Sequence, residues 1–380
     1  MRLLFVADGR SPITQNWIRY FAERGDEVYL ASTFNCSLDF PLNGFELTPV
    51  AFSAAKRPSA APRPASSRNL GLRTAIRHYL GPLTIPRAAR RLRAFIERVK
   101  PDLVHAMRIP YEGMLAADAY NGAPLLVSVW GNDFTLHAPS TPLMKHYTYW
   151  TMQTADALHA DCERDVRLAR RWGFSEDKPA LVAPGSGGVR SDVFYPPEKP
   201  VEEPVIINPR GFRAYVRNDS FFKAIPLVLK KHPNAKFLCA SMAGESQALQ
   251  WIRDLDIARA VELLAPLPHA QMAEIFRGAQ IVVSPSIHDG TPNSLLEGMA
   301  CGCFPTAGDL ESIREWITPN ENGFLFDAAE PASIANAIIE AIENKNLRSK
   351  AAGLNRELIA SRAEYRSNMA RVDEFYKSIT

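Results

Sequence analysis

Short apolar runs alternate with amphipathic stretches along most of this chain. Leu3 to Ala7 is an unbroken apolar run, Asn16 to Ala22 follows at helical spacing, Gly25 and Asp26 supply a turn, and Val28 to Ala31 is apolar again. A wholly apolar run of four or five residues fits a strand covered on both faces. A helix between two such runs gives the crossover that parallel pairing needs. The rhythm returns at Asp102 to Ala106, Pro124 to Val129 and Ala157 to Ala160, and Ile85, Ala88, Ala89, Leu92, Ile96 and Val99 repeat at the helical period. Ser53 to Gly71 instead carries Pro58, Pro62 and Pro64 among Ala, Ser and Arg, which predicts a long loop.

Pro196 to Pro204, with four prolines and alternating charges, reads as a linker. After it a second alternation predicts strands at Val205 to Asn208, Lys236 to Cys239, Val261 to Leu263, Gln280 to Ser284, Phe304 to Thr306 and Phe324 to Phe326. Helices fall between them at about Ser220 to Lys231, Ser246 to Leu255, Ala270 to Arg277 and Pro331 to Asn344. The fold class expected is α/β with two Rossmann-like, doubly wound domains: residues 1–195, the linker 196–204, residues 205–362, and a last helical segment 363–380. In that segment Met369, Val372, Phe375 and Tyr376 form an apolar stripe that needs a surface to cover.

A length of 380 residues agrees with two domains, and 46% hydrophobic with 22% charged residues excludes disordered, collagen-like and disulfide-scaffold chains. No run approaches the 18 or so apolar residues of a membrane span, so a cytoplasmic protein is expected. The five cysteines contain no CxxC pair, which points to free thiols and no zinc site. The net charge of +3 hides an uneven distribution, because Lys56 to Lys100 holds twelve Lys or Arg and one acid, Glu97. Such a block favours an anionic partner, and Arg87, Arg90, Arg91 and Arg93 extend the expectation to peripheral attachment at the inner face of a membrane. The plain alternative is a solvated basic helix face. No nucleic-acid partner is expected.

The stretch richest in chemistry is Ser284 to Gly302, SPSIHDGTPNSLLEGMACG. Thr291 suits a helix N-cap and Pro292 the first helical position, which would leave the amides of Asn293, Ser294 and Leu295 pointing out of the helix toward an anion such as diphosphate. Glu297 would lie beside that mouth, where a carboxylate can accept two hydrogen bonds from a ribose diol. Read without further context, Thr291 caps a structural helix and Glu297 is solvated.

These residues resemble the signature of the family 4 retaining glycosyltransferases, which have the GT-B fold. Two acids with seven residues between them precede a small-residue helix in that family. Asp289 and Glu297 keep the spacing here, with Asp in place of the more usual Glu, a DGT-type variant of the motif. The likeness continues through Met299 to Gly302, Asp309 to Ile317 and Asn322 to Leu325, and touches Gly188, Val189 and Phe194. The resemblance implies that Glu297 holds the donor ribose and that Asp289 bonds a hydroxyl of the transferred sugar. His288, Gly290, Thr291, Pro292, Asn293, Ser294 and Leu295 would complete the donor loop. In Asn208 to Arg217, Arg210 matches a phosphate-binding cation, with Arg217 or Arg213 as the second. Such cations stabilise charge that builds on the departing diphosphate. On the acceptor side the family's glycine-rich loop is reduced to Gly9 and Arg10, and Trp130-Gly131-Asn132-Asp133 stands where a His usually precedes Gly-x-Asp. An indole cannot accept a proton. Trp130 is then an apolar wall, Asp133 an acceptor contact or a turn residue, and His105 an acceptor contact or a core residue.

The implied function is retaining transfer of a sugar from a nucleotide diphosphosugar, UDP being the commonest, to a hydroxyl of a glycan, lipid-linked or small-molecule acceptor. The same-face route, in which the leaving diphosphate takes the acceptor proton, explains why no base stands out. No cofactor beyond the donor and no metal is expected, since arginines and a helix N-terminus can replace a cation's charge. The rivals are a nucleotide-sugar epimerase or sugar phosphorylase on the same fold, and a non-catalytic nucleotide-sugar-binding subunit. A nicotinamide oxidoreductase is disfavoured because no G-x-G-x-x-G follows the first strand. By the same resemblance the last helix crosses back onto the first domain.

Overall fold

A computed structural model describes residues 1–53 and 70–380, the side chains of 70–74 excepted. The loop expected at Ser53 to Gly71 lies almost wholly outside them. Two compact units emerge, one from the N-terminal segment, Gly71–Gly188 and Arg366–Thr380, the other chiefly from Val189–Tyr365.

In the first unit the order is β1 (Arg2–Ala7), α1 (Pro12–Arg24), β2 (Glu27–Ser32), β3 (Gly44–Leu47), α2 (Leu70–Leu80), α3 (Ile85–Val99), β4 (Leu103–Ala106), α4 (Met114–Asp118), β5 (Leu125–Val129), α5 (Pro142–Thr154), β6 (Ala157–Ala160), α6 (Glu163–Arg171) and β7 (Ala180–Val182). Its strands form one parallel sheet in the order β3-β2-β1-β4-β5-β6-β7. The second unit runs β8 (Val205–Asn208), α7 (Asn218–Leu229), β9 (Lys236–Cys239), α8 (Ser246–Asp254), β10 (Val261–Leu263), α9 (His269–Arg277), β11 (Ile281–Ser284), α10 (Asn293–Ala300), β12 (Phe304–Gly308), β13 (Phe324–Phe326), α11 (Pro331–Glu343) and α12 (Lys345–Arg362). Its sheet is β10-β9-β8-β11-β12-β13, also parallel. The last helix, α13 (Tyr365–Ile379), belongs to the first unit apart from its first residue.

Both sheets reverse direction at one place, between β1 and β4 in the first and between β8 and β11 in the second. In an open α/β sheet the crossovers on either side of such a reversal leave opposite faces, so the loops at the strands' carboxyl ends diverge and open a crevice. The loops after β1, β4, β8 and β11 are therefore where chemistry is to be sought.

The central strands are buried on both faces, as their apolar runs predict; Leu4, Phe5 and Val6 have no exposed surface. Two strands escape a reading based on apolar runs. β3 is an edge strand whose residues keep partial exposure, and β7, at the opposite edge, is half-exposed. The helix α12 is missed because its hydrophobic stripe is narrow, with Ala351, Asn355 and Ile359 as its buried positions. The units divide between Gly188 and Val189, earlier than the proline-rich segment 196–204, because Val189 and Phe194 already pack into the second unit's core. Among the described residues no helix is long and apolar enough to cross a membrane. None of the five cysteines forms a disulfide.

Candidate functional site

The loop after β8 is pinned before it presents anything. Asn208, wholly buried at the strand end, donates to Asn218 Oδ1 at 3.0 Å and accepts from the Arg210 amide at 3.0 Å, while Asn218 donates to the Gly211 carbonyl at 2.8 Å. Farther along, the Arg217 amide donates to the Pro285 carbonyl at 2.8 Å and the Ile287 amide to the Tyr215 carbonyl at 2.9 Å. The loops following the two switch-point strands are thereby stitched together. Asn208 and Asn218 carry no chemistry of their own, and their value appears only once the loop is folded.

This stitching brings Arg210 to Asp289. Nη2 donates to Asp289 Oδ2 at 2.6 Å, Nη1 reaches Ser294 Oγ at 3.4 Å, and both side chains are largely buried. Nε of Arg210 is buried with no hydrogen-bond partner, and so is Oδ1 of Asn293. A buried guanidinium nitrogen left unpaired costs more than a typical hydrogen bond gains, and an acceptor atom of a ligand would satisfy it. The loop that carries Asp289 is held from behind, because Ser312 Oγ donates to the Asp289 carbonyl at 2.8 Å and Trp316 Nε1 donates to Thr291 Oγ1 at 2.9 Å.

That last bond corrects the expected cap. Pro292, with φ −72° and ψ 110°, occupies the N-cap position, and Thr291 does not cap because its hydroxyl is committed to the Trp316 indole. Helix α10 begins at Asn293, and the Leu295 amide already donates to the Pro292 carbonyl at 2.9 Å. The amides of Asn293 and Ser294, without the third, remain without a backbone partner among the described residues. Gly298 lets α10 lie against β11, since a Cβ there would stand 3.0 Å from Val282 Cγ1. One turn into the helix, Glu297 keeps some exposure, yet its carboxyl is hemmed in by protein; burial pushes its pKa up to about 7 against the pull of Arg210.

Other expected donor-side residues fall less centrally. Arg217 forks onto Asp219 of its own helix, with both contacts at 2.9 Å, and Arg213 donates to the Arg210 carbonyl at 3.2 Å. His288 is partly buried next to Asp289, and Gly290 is buried.

In the first unit, a cavity of about 320 Å³ opens at the carboxyl ends of β1, β4 and β5, with Arg10, Arg77, Arg108, Glu112 and Trp130 among its walls. Arg10 forks onto Asp8, at 3.0 and 2.8 Å, and covers the Phe34 ring. Gly9 is a packing residue, because a Cβ would collide with Cys36 and Ser32. Asp133 lies behind the wall, wholly buried, where it binds Arg108 at 2.9 Å and the amides of Trp130 and Ile109. It holds the loop's shape and does not line the cavity. Arg77 and Arg108, which sequence reasoning does not single out, do line it; Arg77 lies in the last turn of α2 and Arg108 just after β4, and neither belongs to a motif.

Of the two readings of His105, the structure supports the core residue. It does not line the cavity but sits in the core, in a chain of hydrogen bonds running from Trp17 to Tyr376 (2.8 Å), to His105 (2.5 Å), to Ser128 (2.7 Å), to His159 (2.8 Å) and to the Ala183 carbonyl (3.0 Å). The Trp17 indole can only donate and a carbonyl can only accept, so every proton is ordered: Tyr376 donates to His105 Nδ1, and both histidines carry hydrogen on Nε2. A second proton on either would force the facing hydroxyl to turn its own hydrogen out of the chain. Burial accordingly holds His105 well below its ordinary pKa and His159 down to about 4.

Comparison with known proteins gives this geometry a family. The description "Glycosyl transferase 4-like domain" matches residues 9–185 and "Glycosyl transferases group 1" matches residues 190–357. D-inositol 3-phosphate glycosyltransferase of Corynebacterium jeikeium is 28% identical over 134 residues, 33% of this chain, and the match spans about a third of that relative's own length, 32%. Sucrose-phosphate synthase from Thermosynechococcus elongatus has a similar fold, with a TM-score of 0.77 at 15% identity over 100% of this chain and 99% of that one. HepE of Anabaena, solved in complex with UDP-glucose, gives a TM-score of 0.73 at 14% identity over 99% of both chains. With one glycosyltransferase domain matched on each side of the Gly188–Val189 division, and two parallel-sheet Rossmann-like units beneath them, the chain belongs to the glycosyltransferases of the GT-B fold.

Proposed function

We propose that this glycosyltransferase takes a sugar from a UDP-sugar and passes it, with retention at the anomeric carbon, to an acceptor hydroxyl. The observation that carries the proposal is the constellation in the second unit: a buried Arg210 with an unpaired Nε, two free amides at the mouth of α10, and Glu297 one turn inward. Arg210 and the amides of Asn293 and Ser294 would hold the diphosphate. Glu297 would accept from the ribose diol. Asp289, steadied by Arg210 and Ser312, would accept from a sugar hydroxyl. As the bond from sugar to phosphate breaks, charge grows on the phosphate oxygen, and a guanidinium already oriented by Asp289 meets it without reorganising. The acceptor attacks from the same face, and the leaving phosphate oxygen takes its proton. These positive groups supply what a metal would supply, and the proposal has none.

The experiment is incubation of the chain with a panel of UDP-sugars and acceptors in the presence of a chelator, followed by NMR assignment of the product anomer. A product with the donor's anomeric configuration supports the reading. Inverted product, a strict metal requirement, or donor epimerised or consumed by phosphate alone would overturn it.

A further inference from the structure

In the first unit's cavity the charges do not cancel. Asp8 neutralises Arg10 through two contacts, and the buried Asp133 neutralises Arg108, whose second nitrogen donates to Asn132 Oδ1 at 2.9 Å. Arg77 has no such partner. No carboxylate among the described residues lies within ion-pair distance of it, and its guanidinium packs over the faces of Tyr111, at 4.6 Å, and Phe34, at 5.7 Å. Its Nε is buried with nothing to donate to.

The buried acid in the same wall, Glu112, accepts from Thr33 at 2.8 Å, and burial pushes its pKa upward, toward the neutral form, against the pull of Arg77 and Arg108. A second buried atom in the lining also lacks a partner, the indole Nε1 of Trp130. Both orphans are donors. A cavity wall with two unsatisfied donors, one of them cationic, is complementary to an oxygen-rich anion, because only acceptor atoms can satisfy it. A guanidinium presents parallel N–H groups that match phosphate geometry.

We infer that the first unit's cavity binds a phosphate group carried by the acceptor, with Arg77 as its specificity-determining cation and Trp130 donating to a further oxygen of the same molecule. The word acceptor rests on the transfer reading above; the anion site itself does not. The phosphate can belong to a soluble polyol or sugar phosphate or to a lipid headgroup, which share this chemistry. At about 320 Å³ the cavity takes a group of sugar-phosphate size.

The test uses the full chain in the absence of UDP. Glucose 6-phosphate, glycerol 3-phosphate and inorganic phosphate are titrated by calorimetry beside glucose and glycerol, and phosphatidylinositol vesicles are compared with phosphatidylcholine vesicles by flotation. A phosphate-bearing probe is expected to bind where its neutral counterpart does not. Arg77→Gln should weaken that binding at least tenfold while Arg77→Lys retains part of it, and UDP affinity should stay unchanged in both. The Tyr111 hydroxyl donates to the carbonyl of Arg77 at 2.6 Å, so that bond survives either substitution, and equal melting temperatures check the fold. Arg77-dependent binding of vesicles alone assigns the phosphate to a lipid and supports the site.

Equal binding of phosphorylated and neutral probes, phosphate binding that Arg77→Gln leaves intact, or no binding by any probe overturns the inference. Phosphate binding with no binding of UDP supports the anion site and overturns the donor reading.

Discussion

Replacing Glu297 by Gln should make the protein more stable and less able to bind UDP, and the pH dependence of both effects follows from one carboxyl. Its pKa in the folded chain is about 7, against an ordinary value of 4.5. Between those values the folded state holds a proton that the unfolded chain gives up. Glu297 therefore leaves stability intact below pH 4.5 and erodes it as pH rises through 7, after which the loss is constant. At 1.36 kcal/mol per pKa unit the full loss is about 3 kcal/mol, and with the partial exposure of the residue about 1–3 kcal/mol. Gln carries no such penalty. Urea unfolding followed from pH 4 to pH 8 should show Glu297→Gln gaining stability over the parent as pH rises, with the curves converging toward pH 4. Calorimetry with UDP supplies the other half: the parent should bind more tightly as pH rises through 7 and the diol meets a carboxylate, and the variant should lose about 1–3 kcal/mol of affinity. The nucleotide's terminal phosphate titrates near pH 6 as well, but it does so for both proteins, so the difference between them isolates Glu297. Stability curves that run parallel at all pH values, or UDP affinity equal to the parent's, would refute the assignment.

Arg210→Ala should lower kcat more than it weakens donor binding, because its contact strengthens as charge reaches the diphosphate; a change in KM alone, measured by steady-state kinetics, would count against it. Deleting residues 366–380 should lower the melting temperature and cost more than ~3 kcal/mol, since Met369, Val372 and Tyr376 are fully buried and the Trp17 indole would lose its acceptor. The proton order of the buried chain predicts that imidazole nitrogen NMR will show His105 and His159 neutral, with hydrogen on Nε2, down to about pH 5, whereas an imidazolium signature at pH 6 would contradict it. Neutralising Arg87, Arg90, Arg91 and Arg93, all exposed on α3, should reduce flotation with anionic vesicles as added salt does; indifference to both would leave a solvated helix face.

What could be read from the sequence was what local pattern controls. The strands Ala157–Ala160, Val205–Asn208 and Phe324–Phe326 fall where their apolar runs end, because a strand largely buried on both faces is written as a continuous apolar run, while the more exposed Lys236–Cys239 and Val261–Leu263 were legible from their place in the alternation. The Asp289 and Glu297 pair was legible only through its resemblance to the family motif, since the residues alone also fit a capped structural helix with a solvated acid. The Thr291 cap was misplaced because local preference rates Ser and Thr highly there, and nothing local announces that an indole 25 residues away will claim the hydroxyl. His105 is ambiguous for the same reason. A histidine at a strand end could face a cavity or the core, and the partners that fix it in the core, Ser128 and Tyr376, lie 23 and 271 residues away.

The two units use the same device for different ends. In each, the loops at the reversal of strand order carry an arginine held by a carboxylate, Arg210 by Asp289 and Arg108 by Asp133; the Asp133 carboxylate accepts the Ile109 and Trp130 amides, and the main chain of Asp289 is held by the Ser312 hydroxyl on its carbonyl. An arginine so held cannot collapse onto a neighbour when its site is empty, and the entropy of ordering its long, rotatable stem is spent in folding instead of in binding. Where the second unit leaves the nitrogen of that paired arginine unsatisfied, the first leaves an unpaired arginine beside it, Arg77, so that its positive charge as well as its hydrogen-bonding capacity is uncompensated. On the proposed reading, a donor held by diphosphate, ribose and sugar contacts would need only complementary hydrogen bonds at Arg210. A smaller partner with fewer anchoring points gains more from an uncancelled charge, which is why the weight of the electrostatics should fall on the first unit when acceptors are compared.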